Sequence, residues 1–183
     1  MQKKILFIQG GGEDGYQGDQ VLVDSLKTEL GKEYTLRYPQ LESDEEAPDF
    51  GWTKQIHDEM QGMDDDFVLV GHSLGASMIL KMLSENEAGS KMVAVFLLAA
   101  PYWTGNEEWK AGLKLKPGYA EQLPSELPLY FFHCKDDEEV PFEQFEQYKA
   151  EIKQAEFTEF ASGGHLFENR LEKVAKEVSG SFR

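Results

Sequence analysis

Gly71-His72-Ser73-Leu74-Gly75 places a serine midway between two glycines. The apolar run Phe67-Val68-Leu69-Val70 precedes it, and a helical pattern carrying Ile79, Leu80, Met82 and Leu83 follows at once. Strand, sharp turn and helix form the setting in which such a serine stands exposed as a nucleophile. Gly71 and Gly75 let the backbone pass close to itself. The helix that starts at the turn aims free N–H groups and the positive end of its dipole at Ser73 Oγ. Both favour the negative charge that acyl transfer creates.

That chemistry also needs a base, an acid and an oxyanion hole. Of the four histidines, His57 lies inside an exposed-looking helix, His72 points away from the serine within the turn, and His133 ends a strand. His165 follows the last strand in Ala161-Ser162-Gly163-Gly164-His165, on a glycine loop able to approach closely, and is the expected general base. An acid between Ser73 and His165 would hold the histidine tautomer. Cys134-Lys135-Asp136-Asp137-Glu138-Glu139-Val140-Pro141 supplies two adjacent aspartates, and spacing alone leaves Asp136 and Asp137 both open. Two oxyanion donors are expected at the backbone N–H groups of Leu74 and Gly11, the latter in Gln9-Gly10-Gly11-Gly12 after the first strand. The glycine run lacks G-x-G-x-x-G spacing and no Lys-Ser/Thr follows, so a nucleotide cradle does not fit. Cys134 lacks a comparable turn and reads as a small packed side chain.

These residues must be held by strands that alternate with helices. Short apolar runs at Ile5 to Ile8, Phe67 to Val70, Met92 to Leu98 and Leu129 to Phe132 read as strands, as do Tyr34 to Tyr38, closed by Pro39, and the short stretch Glu156 to Phe160. Helices are expected from about Asp19 to Leu30, from near Asp49 to Met60, after Ser73, from Pro141 to Ala155 and at the C-terminus. Leu22, Leu26 and Leu30 share one face of the first of these helices, and Trp52 and Ile56 share one face of the second. Residues 40–49 read as a solvated acidic loop. The alternation predicts an α/β fold: a doubly wound, mostly parallel six-stranded sheet with helices on both faces, in a single domain over 1–183 without a large lid. The candidate residues all follow strands, so they fall on one sheet edge. Tyr102 and Trp103 leave the fourth strand at that edge and are candidate walls of an open acyl pocket.

Composition narrows the partners. The 183 residues include 34 acidic and 18 basic side chains, a formal net charge of −16. That excess disfavours nucleic acid and anionic membranes. A single cysteine excludes an intrachain disulfide, and the N-terminal apolar run is too short for a signal peptide, so a cytoplasmic setting is expected. No metal-ligand cluster is visible and no cofactor is implied.

Phe7-Ile8-Gln9-Gly10-Gly11-Gly12, Arg37-Tyr38-Pro39, Gly71-His72-Ser73-Leu74-Gly75, Asp136-Asp137-Glu138-Glu139-Val140-Pro141 and Gly163-Gly164-His165 together resemble the small, lidless α/β-hydrolases, over nearly the full length. The likeness is to the serine hydrolases of the retinoblastoma-binding-protein-9 type and their compact bacterial relatives. The resemblance implies Ser73, Asp137 and His165 as the catalytic triad, with Asp137 three residues before the valine of the Val-Pro pair. Two departures stand out: Gln9-Gly10 where His-Gly is usual, and His133-Cys134 where the acid loop more often begins His-Gly. The Leu-x-Cys-x-Glu motif that binds a tumour suppressor is absent, so no protein partner is carried over. The expected activity is hydrolysis of a small-molecule acyl substrate (ester, thioester or amide). A non-catalytic binding protein on the same fold, or acyl transfer to an acceptor other than water, are the alternatives.

Overall fold

The structure, a computed structural model, describes residues 2–86 and 91–182. Six strands form its sheet: β1 (Lys3–Ile8), β2 (Tyr34–Arg37), β3 (Phe67–His72), β4 (Met92–Leu98), β5 (Leu129–Cys134) and β6 (Glu156–Phe160). Their order is β2-β1-β3-β4-β5-β6, and every neighbouring pair is parallel. Helices α1 (Gly15–Gly18), α2 (Gln20–Leu30), α3 (Trp52–Gln61), α4 (Leu74–Glu85), α5 (Tyr119–Gln122), α6 (Phe142–Glu151) and α7 (Glu172–Ser181) connect and cover the strands. The doubly wound sheet expected from the alternation is therefore present.

Side-chain alternation splits the core into two layers. Leu6, Ile8, Leu69, Val95, Leu97 and Phe131 face α3, α4 and α6. Ile5, Phe7, Val68, Val70, Phe96 and Phe132 face α2 and α7. Because β1, β3 and β4 are covered on both sides, they read as continuous apolar runs; edge strand β2 alternates half-buried and exposed residues. Helix α4 lies deepest, with Ala76 through Leu83 buried, as its nearly all-round apolar sequence requires. Among the described residues no helix is long and apolar enough to cross a membrane.

Several boundaries differ from the sequence reading. Strand β3 continues through Gly71 and His72 because its ladder with β4 persists to Leu98. Strand β5 runs on to Cys134 through pairing with β6, so His133 lies inside the strand rather than at its end. Helix α6 stops at Glu151, and Ile152 packs from the turn beyond it. Residues 99–127, without a clear period, hold a 3-10 helix at Glu108–Leu113 and the single turn α5.

The start of α4 presses directly on the end of β1. A Cβ placed on Gly75 would stand 2.2 Å from the Gln9 carbonyl oxygen and 2.8 Å from that of Ile8. Backbone cannot yield as a flexible side chain would, so Gly75→Ala should destabilise the fold by about 1–3 kcal/mol. Gly180→Ala, whose Cβ would meet nothing within 4 Å, should instead stabilise by up to about 1 kcal/mol. Urea unfolding of both variants measures the contrast; an unchanged midpoint for Gly75→Ala would contradict the contact.

Candidate active site

Ser73 caps the joint between β3 and α4 in a conformation few residues adopt, φ 49° and ψ −122°. Such backbone costs on the order of 1–3 kcal/mol and persists only where its surroundings enforce it. Here the ladder does so: Ser73 N–H donates to the Leu98 carbonyl at 2.9 Å, and Ser77 N–H donates to the Ser73 carbonyl at 3.2 Å. Gly71 is required for the same closeness, since a Cβ there would lie 2.5 Å from Ile79 Cδ1 and 2.9 Å from the Ala76 backbone. Leu74, first residue of α4, has no intrahelical acceptor for its N–H.

His165 and Asp137 meet across the next two strand ends. His165 Nδ1 lies 2.9 Å from Asp137 Oδ2, with the two side chains 10 % and 0 % exposed. Asp137 Oδ1 accepts from the N–H groups of Glu139 and Val140, each at 2.9 Å. Burial alone would raise the Asp137 pKa, but the hydrogen bond from His165 and those backbone donors outweigh it and hold the carboxyl below its usual range. Burial likewise pulls His165 down, yet the Asp137 hydrogen bond and charge, followed by Glu139 and Asp19, carry its pKa above the ordinary 6.5. With Nδ1–H committed to Asp137, the neutral ring presents a lone pair at Nε2. Glu139 Oε2 stands 3.7 Å from that nitrogen.

Its neighbour, Asp136, has different work. Its carboxylate accepts from Gly164 N–H at 2.9 Å and Gly163 N–H at 3.2 Å, and so anchors the loop that carries His165. Inside β5, His133 donates from Nε2 to the Val140 carbonyl at 2.8 Å, and burial lowers its pKa. Burial pushes the Cys134 thiol up to about 12, which keeps it un-ionised and poorly nucleophilic.

The loop after β1 completes the edge. Gly10 N–H donates to Asp19 Oδ2 at 2.6 Å, which leaves it committed elsewhere. Gly11 lies against the elbow: a Cβ there would fall 2.7 Å from Leu74 Cδ2. Gln9, in the place where histidine is more usual, is buried and accepts from Leu41 N–H at 2.9 Å through Oε1. It thereby ties the glycine loop to the acidic segment 40–49. That tie, the burial of Asp19 and the nearness of Glu139 all depend on long-range folding, and local spacing holds no signal for them.

Two cavities meet at Ser73. One, of about 430 Å³, has Phe50, Tyr102, Trp103, Trp109 and Leu113 as walls. Trp103 Nε1–H donates to Ser77 Oγ at 3.0 Å, and that hydroxyl donates to the Leu74 carbonyl at 3.0 Å, so this wall is fastened to α4. Tyr102 is fixed at both ends, its N–H on Gln144 Oε1 at 2.6 Å and its hydroxyl on Glu151 at 3.0 Å. Phe50 and Gln144 were not foreseen, because they come from distant segments. The second cavity, of about 290 Å³, contains Gly11, His72, Ser73, Glu139 and His165 and has no Phe, Tyr or Trp in its walls. Among the described residues no group of His, Cys, Asp or Glu is placed to hold a metal ion.

Known proteins share this architecture. SOBER1 of Arabidopsis thaliana superposes with a TM-score of 0.71 at 14 % identity, covering 100 % of both chains. Est1E from Butyrivibrio proteoclasticus gives 0.69 at 13 % identity, over 98 % of this chain and 86 % of that one. The esterase EaEST from Exiguobacterium antarcticum gives 0.69 at 15 % identity, over 97 % and 91 %. At such identities the likeness is one of fold. No curated protein matches the chain by sequence. A family model described as serine hydrolase, however, matches residues 24–171, most of the chain and all three side chains at the strand ends. On that match the chain belongs to the serine hydrolase family.

Proposed function

We propose that the protein cleaves a small carboxylic ester, thioester or amide through an acyl-enzyme on Ser73, with His165 as base and Asp137 as the orienting acid. The observation that carries this reading is the 2.9 Å Asp137–His165 hydrogen bond, with His165 lining the same cavity as the strained serine. Ser73 Oγ attacks the carbonyl carbon and His165 Nε2 takes its proton. The oxyanion is received by the N–H groups of Leu74 and Gly11. Collapse returns the proton from His165 to the leaving group, and water repeats the sequence to release the acid and free Ser73. Asp137 stays ionised throughout and stabilises the imidazolium.

Such a leaving group must reach Nε2, so it occupies the cavity that contains His165. The acyl group then falls to the aromatic cavity that contains Ser73 but not His165. Its volume is in the lower part of the roughly 300–1,000 Å³ range of small-molecule pockets, and Trp109 at its lip is 54 % exposed. It suits one small acyl group with little room for a long tail.

Two outcomes test the assignment. Loss of the orienting carboxylate can cost on the order of 10⁴ in kcat. Asp137→Asn should approach that loss on a p-nitrophenyl ester, and Asp136→Asn, which only loosens the loop at Gly163 and Gly164, should cost far less. The opposite ranking would assign the acid to Asp136. Across acyl chains of rising length, kcat/KM should climb several-fold per carbon, at about 0.8 kcal/mol per buried methylene, and level off near butanoyl to hexanoyl. Trp103→Ala should lower it for those substrates. A steady climb through long chains, or indifference to Trp103→Ala, would refute the small pocket.

A further inference from the structure

We propose that the buried Asp19–His72 pair is a positioning clasp that sets the base loop and the oxyanion loop against the elbow, and so governs turnover without touching substrate. The inference rests on Ser73 and His165 acting as described above. Asp19 sits at the N-cap of α2, where an aspartate ordinarily accepts from the first helical N–H groups. It makes no such bond. Its carboxylate turns inward, accepting from Gly10 N–H at 2.6 Å and facing His72 Nδ1 at 2.8 and 2.9 Å. The other nitrogen of the ring, Nε2, lies 3.0 Å from the carbonyl oxygen of His165. Both nitrogens thus face oxygen atoms, one on each loop's tether.

His72, next to Ser73 in sequence, and Asp19 thereby join the loop that holds Gly11 to the backbone of His165. Asp19 and His72 are 5 % and 2 % exposed. A buried polar pair gains little stability over an apolar pair of the same size, so stability is a poor reason for one here. Its bonds do fix the separation of the groups that must meet at the substrate carbonyl. A misplacement of roughly 1 Å at such groups can cost about 10²-fold in rate.

Electrostatics separate this role from simple packing. The groups facing His165 are Asp137 and Glu139 from the loop after β5, His133 inside β5, His72 from β3 and Asp19 from the start of α2. The rings of His72 and His165 are 4.6 Å apart. Activity needs neutral His165, whose raised pKa puts the acid limb of kcat/KM above pH 6.5. Removing the Asp19 charge should move that limb down, since the carboxylate favours the imidazolium.

The test compares native protein, Asp19→Asn, His72→Gln, the double variant and Ser73→Ala on p-nitrophenyl butyrate, with circular dichroism to establish folding. We expect kcat to fall by about 10²-fold in the folded single variants, with KM changed by less than about threefold and the acid limb of Asp19→Asn displaced to lower pH. If a single variant fails to fold, the double variant decides, because it leaves no buried charge unpaired; it should show the same fall in kcat. Folded variants with near-native kcat, or an Asp19→Asn limb that stays in place, would overturn the clasp. Should Ser73→Ala remain active, the functional reading fails instead; an inactive Ser73→Ala beside near-native clasp variants rejects the clasp alone.

Discussion

Right-handed crossovers cover one face of a sheet when the chain moves one way and the other face when it turns back. This chain moves outward from β1 to β2 through α2, then returns past β1 to β3 through α3. The reversal puts α2 and α3 on opposite faces and parts the loops that follow β1 and β3. A crevice opens at that point, on the carboxyl edge, as in other sheets wound in both directions. The glycine loop occupies one lip and the serine turn the other. Everything else at the site is brought to this gap by the onward march of β4, β5 and β6.

Closing the gap to working distance depends on contacts that allow almost no added volume. At Gly75 the helix meets the carbonyls of Gln9 and Ile8; at Gly71 the strand meets Ala76 and Ile79. The strain at Ser73 is sustained by strand hydrogen bonding on one side and the first turn of α4 on the other. Charges finish the arrangement. Asp137 faces His165, Asp136 grips the backbone before it, and Asp19 and His72 span the two lips. A chain with a formal charge of −16 has acidic residues to spare, yet the buried ones at this edge each have a named partner.

How much of this is legible in the sequence follows from the range of each interaction. The serine turn is legible because its glycines are demanded by backbone a few residues away. The four inner strands are legible because burial on two faces forces unbroken apolar runs. Spacing does not distinguish Asp136 from Asp137: both carboxylates accept from backbone, only Asp137 also meets a side chain, and successive residues in a turn point in different directions. Asp19 looked like the start of a helix, and only the fold reveals that its carboxylate faces His72, far along the chain. Phe50, Gln144 and Glu139 likewise join the cavities through tertiary contact, and no local pattern marks them.

The central claim is that Ser73 is the nucleophile. Treating the folded protein with a fluorophosphonate and locating the adduct by intact mass and peptide mapping tests it most directly. The account predicts a single phosphonyl group on Ser73, absent from folded Ser73→Ala. A folded native protein that takes up no label, or carries it on another residue, would contradict the account.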